Sequence, residues 1–157
     1  MKTLVLGIGN PILCDDGVGI RVARALREKP ARPDVDIEES SLAGMDLLEL
    51  LSGYDRAIIV DAIEAAGTKP GRIYRFGIEA LTRTRHSSSP HDVNFATALE
   101  LGKRLGIPIP GQIVIFGIQV ADVSTFSEQC TPEVERAIPR CVRRVLLEID
   151  RPMSGDK

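Results

Sequence analysis

The stretch that most constrains this chain is Ala57-Ile58-Ile59-Val60, an unbroken apolar run closed by a carboxylate, Asp61. Four consecutive aliphatic residues with no polar alternation read as a strand buried on both faces. Such a strand needs covering layers on either side, which makes it an interior strand of an α/β sheet.

The rest of the sequence alternates to match. Leu4 to Ile8 is a second apolar strand, and it leads into Gly7-Ile8-Gly9-Asn10. Residues 17–28 have helical spacing: Val18, Val22, Ala25 and Leu26 share one face, Arg21, Arg24 and Arg27 the other, and the late arginines suit the negative end of a helix. Residues 34–39 alternate as a short strand near a sheet edge. A helix is expected over residues 44–52 and a strand over 71–76. Residues 87–91 form a polar loop opening a helix at about 91–105, residues 112–119 a further buried strand, and a last helix covers about 132–149. The order β-α-β-α-β-β-α-β-α predicts a three-layer α/β fold with a mostly parallel sheet and helices on both faces. With 157 residues the chain suits one domain, set at residues 1–150, with residues 151–157 as a disordered tail.

Composition enters through what it excludes. A net charge of -2 argues against a protein that holds nucleic acid through a general basic field. The three cysteines, Cys14, Cys130 and Cys141, are odd in number and contain no CxxC pair, so a reducing compartment fits better than a disulfide framework. No segment approaches the roughly 20 apolar residues of a membrane span, and Leu4 to Gly7 is too short for a signal sequence. The expectation is a cytoplasmic protein with no membrane or nucleic-acid partner.

In a parallel α/β sheet the site forms beyond the carboxyl ends of the strands. After the first strand come Gly7 to Pro11 and then Cys14-Asp15-Asp16-Gly17; after the central strand comes Asp61; His91 opens a helix; Gly117-Ile118-Gln119 closes the last strand. A dinucleotide fingerprint would need glycine where Ile12 stands, so the glycines read as devices for a tight turn and close helix packing. One of Asp15 and Asp16 is expected to cap the first helix. Asp15 is assigned the cap and Asp16 the chemistry, although local sequence does not order the two. Asp61, at the edge of a core, either serves a reaction or bonds a backbone turn, since an unpaired buried charge costs several kcal/mol. Ser89 at an N-cap, Pro90 at N1 and Asp92 at N3 make a sound helix start, which puts His91 near the positive helix end, where the neutral ring is favoured. His86, among arginines and serines, reads as solvated. Two carboxylates and a histidine can bind a divalent ion or activate a water, and spacing leaves both open. There is no Gly-x-Ser-x-Gly elbow, and a spatial pairing of Cys14 with His91 also stays open.

Taken in order, several short motifs resemble the endopeptidases that mature [NiFe] hydrogenases: Leu6 to Asn10, Asp15 to Gly19, Ala43 to Leu48, Ile59 to Ala62, Pro70-Gly71, Ser89 to His91 and Phe116 to Gln119. Each is weak by itself, but their joint order and spacing are specific and cover most of the chain. The resemblance implies a five-stranded twisted sheet between helix layers. It also implies that Asp16, Asp61 and His91 are both the catalytic and the metal-contacting residues, converging in one cleft. The partner would be a hydrogenase large-subunit precursor that loses its C-terminal tail after nickel insertion. No cofactor would be tightly bound: nickel would arrive with the substrate, and added zinc or cadmium would occupy the same groups. A rival is peptidyl-tRNA hydrolase, whose first strand also leads into a Gly-x-Gly-Asn-Pro turn. That family soon adds an asparagine and a histidine, where this chain has Asp15-Asp16 and no histidine before His86. A second rival is a non-catalytic module that merely holds the precursor or a nucleotide.

Overall fold

The computed structural model describes residues 1–41, 45–65, 67–78 and 90–153, with the backbone alone for residues 45 and 90–96. Five strands form one sheet: β1 (Thr3–Ile8), β2 (Val35–Ser40), β3 (Arg56–Ile63), β4 (Ile73–Gly77) and β5 (Gln112–Gln119), in the order β2-β1-β3-β5-β4. β1 pairs in parallel with β2 and β3, β3 pairs in parallel with β5, and β4 runs antiparallel on the outer edge of β5. The helices are α1 (Val18–Arg27), α2 (Met45–Leu51), α3 (Pro90–Arg104) and α4 (Pro132–Asp150). The expected mostly parallel α/β sheet is what forms. Residues 34–39 become an edge strand shifted by one residue. Ser89 and His86 lie outside the described residues, as do residues 154–157 of the expected tail.

Two cores sit on the two faces, and strand alternation sorts residues between them. Val5, Ile58, Val60, Ala62, Val114, Phe116 and Ile118 meet α1 and α4. Leu4, Leu6, Ile8, Ala57, Ile59 and Ile115 meet α2 and α3 through Leu47, Leu48, Leu51, Ala98 and Leu99. Each fully buried aliphatic side chain contributes roughly 1.5–3 kcal/mol by leaving water. The arginine face of α1 does more than complement a helix end. Arg24 and Arg27 both reach Glu39 on β2, and Arg27 also donates to the Ile37 carbonyl, so α1 covers the edge strand.

Two polar clamps tie α4 to the sheet. At the amino end of β3, the buried Arg56 guanidinium donates to the carbonyls of Glu148, Ile149 and Arg151 and to Thr3 Oγ1. It thereby satisfies the orphan acceptors at the carboxyl end of α4. Buried Glu148 receives two 2.8 Å bonds from Arg75 of β4, and that guanidinium holds the Glu148 carboxyl below its ordinary value.

Candidate active site

The chain leaves β1 through Gly9 and turns at once into a 3-10 turn, Cys14–Gly17, which leads directly into α1. Gly9 has φ 150°, and a Cβ there would overlap the carbonyl oxygen of Asp16. Gly7 faces the backbone of Gly19 in the same way. The glycines therefore serve close packing, as the missing third glycine implied. Cys14 has φ 53°, a left-handed conformation that costs a non-glycine residue about 1–3 kcal/mol. Its N–H bonds the Ser127 carbonyl at 2.9 Å, which helps to hold that conformation.

Neither aspartate caps α1, contrary to the expectation from sequence. The N-cap of α1 is Gly17 and that of the 3-10 turn is Leu13, each without a side-chain bond. The extra turn puts both carboxylates inside it rather than ahead of the helix. Asp15 points inward and is fully buried. It accepts from the N–H groups of Ala121 at 2.9 Å, Asp122 at 3.1 Å and Thr131 at 2.7 Å, and from the Thr131 hydroxyl at 2.8 Å. Thr131 is the N-cap residue of α4, so Asp15 pins the start of that helix and the loop before it. Asp16 is half-buried. Its Oδ2 accepts the Asn10 N–H at 3.0 Å, and its Oδ1 has no partner among the described residues.

Asp61 lies in β3 near its carboxyl end, paired in register with Gly117 of β5 and 4% exposed. One oxygen accepts the N–H of Ala62 at 2.8 Å. By alternation with Ala57 and Ile59 its side chain belongs to the face covered by α2 and α3. The backbone of His91 is in the first turn of α3, and its side chain is not among those described. The 3-10 turn after β1 packs against β3. Asp16 and Asp61 thus sit at the same, carboxyl, edge of the sheet.

The cysteines do not suit a nucleophile. Burial, then the charge of Asp15, pushes the Cys14 thiol up, and burial lifts Cys130 and Cys141 to about 12. A neutral thiol is a poor nucleophile. One residue that sequence reasoning passed over as part of a motif is Gln119, the last residue of β5. Its Oε1 accepts from Ala65 N–H at 2.8 Å and from the Thr68 hydroxyl at 2.7 Å, holding the loop beyond Asp61. No local pattern marks it, because its partners lie more than fifty residues back.

Comparison with known proteins gives a consistent result. A family model described as HycI, hydrogenase maturation protease, matches residues 20–148. Hydrogenase 2 maturation protease of Escherichia coli is 31% identical over 148 residues, covering 93% of this chain and 89% of that protein. The hydrogenase expression/formation protein HupD of Bradyrhizobium diazoefficiens is 31% identical over 140 residues, covering 87% of this chain and 72% of the relative. Among solved structures, the hydrogenase-maturating endopeptidase HybD of E. coli superposes with a TM-score of 0.84 at 29% identity, over 95% of this chain and 92% of that one. Neither the peptidyl-tRNA hydrolase reading nor the non-catalytic one is favoured by these likenesses. With the sheet order, the turn after β1 and the family match in agreement, the chain is an endopeptidase belonging to the hydrogenase maturation protease family.

Proposed function

We propose that this endopeptidase removes the C-terminal extension of a [NiFe] hydrogenase large-subunit precursor after nickel insertion, and that the substrate's nickel is its recognition element. The observation that carries this reading is the open oxygen of Asp16 at the same sheet edge as the buried Asp61. Asp61 belongs to the face covered by α3, whose first turn includes His91. In this reading Asp16, Asp61 and His91 contact the ion that the precursor presents, which fixes the tail in the cleft. Asp16 takes a proton from water as the oxygen adds to the scissile carbonyl, and that proton passes to the leaving amine as the C–N bond breaks. The enzyme keeps no metal of its own, and zinc or cadmium would occupy the same three groups. The cytoplasm is the proposed compartment, on the odd, unpaired cysteines; among the described residues no helix is long and apolar enough to cross a membrane.

The test uses purified precursor with and without nickel at matched concentration. Cleavage of the loaded form alone is expected, and Asp16→Asn is expected to reduce it by at least ~100-fold while the melting temperature holds. Equal cleavage of the two forms would sink the metal-readout idea and leave a carboxylate protease that reads only the tail.

A further inference from the structure

Beyond β5, the loop to α4 carries Phe126, which is 80% exposed and the most exposed large apolar side chain among the described residues. Beside it is Ile12, 48% exposed. The two are joined by a parallel bridge between Leu13 and Ser127: Ser127 N–H donates to the Ile12 carbonyl at 2.9 Å, and Cys14 N–H donates to the Ser127 carbonyl at 2.9 Å. Residues 12–14 run directly into Asp16.

This exposed pair is not on a slack loop. The Asp122 carboxylate accepts from Ser124 N–H, Thr125 N–H and the Thr125 hydroxyl. Asp15 fixes Ala121, Asp122 and Thr131 from within. Leaving a phenylalanine in water forgoes roughly 1.5–3 kcal/mol of burial. A rigid loop that exposes it loses little further entropy when a partner covers it. Aromatic side chains so presented are the usual anchors of protein–protein recognition.

We infer that Ile12 and Phe126 form a docking knob that seats in an apolar depression on the folded part of the precursor, beside the tail to be cut. The inference rests on the proposed function above. Continuity favours this occupant: Ile12 and Asp16 share one backbone segment, and the segment that carries Phe126 is bridged to it at the same sheet edge, so a protein whose tail reaches Asp16 is brought alongside the knob. Affinity for the precursor would then come largely from apolar contact outside the cleft, with the carboxylates reading the ion.

The test compares wild type, Phe126→Ser and a control, Leu147→Ser, against nickel-loaded, tailed large-subunit precursor. Leu147 is 67% exposed, but on α4 beside the Arg56 clamp, at the opposite edge of the sheet. Phe126→Ser is expected to raise KM by ~10-fold with kcat changed less than about two-fold, and Leu147→Ser to match wild type. Unchanged melting temperatures would show that folding is not the cause. A wild-type KM for Phe126→Ser would overturn the inference. So would self-association of the wild type, by sedimentation, that Phe126→Ser abolishes without changing KM; the knob would then pair two copies of this chain. If wild type leaves the precursor uncut, the proposed function fails, and binding to immobilised precursor decides the docking separately. Binding weakened ~10-fold by Phe126→Ser supports it, and equal binding or none overturns it.

Discussion

A carboxylate that accepts from three backbone N–H groups and a hydroxyl cannot be exchanged for its amide at little cost. In Asp15→Asn one of the two acceptor oxygens becomes an NH2 facing donors, in a place water does not reach. The expected loss is about 2–3 kcal/mol of folding free energy, read by urea denaturation. Asp16→Asn, which disturbs one bond at a half-buried position, should lose less than about 1 kcal/mol. Similar losses in the two variants would mean that Asp15 is not the structural member of the pair. Sequence presented the two aspartates as adjacent equivalents. Neither caps α1; Asp15 instead holds the start of α4 and the loop before it, and Asp16 accepts the Asn10 N–H. The N–H and hydroxyl groups that Asp15 accepts from are 106 and more residues away, so no local capping pattern could reveal them.

At the scale of elements, the contact that sets the site is α1 against β1 and β3. Gly19, in the first turn of α1, has no room for a side chain: an added Cβ would overlap the Val60 carbonyl oxygen and approach that of Ile8 to 2.6 Å. Both obstacles are backbone of central strands and cannot rotate away. Gly19→Ala is therefore expected to lower stability by about 3 kcal/mol or more and to push the 3-10 turn, with Asp16, off the sheet edge. A melting temperature within about 2 °C of wild type would contradict that account. The elements themselves were legible because buried parallel strands and amphipathic helices leave opposite periodicities in sequence. The 3-10 turn was not: four residues, Cys-Asp-Asp-Gly, carry no period, and the turn is defined by bonds to Ser127 and Asp122.

For the whole molecule, stability against acid should depend on the clamp between α4 and β4. Arg75 holds the Glu148 carboxyl below its ordinary value. Folding therefore favours the ionised form, and the contribution is complete above the unfolded value of about 4.3 and lost as pH falls through the lower folded value. The stability gap between wild type and Glu148→Gln should be steady near neutral pH and narrow as pH falls below about 4.3, since the other carboxylates titrate in both proteins. A gap that stays constant on acidification would show that the ion pair is not the source. The Arg56 clamp has an architectural result as well. Thr3 begins β1, and Arg151 follows α4, both against the same guanidinium at the amino edge of the sheet. Asp16, Asp61 and Phe126 lie at the other edge. A surface, bead or fused domain attached near either of those residues would hold the molecule by its amino edge and leave the proposed site facing away from the attachment.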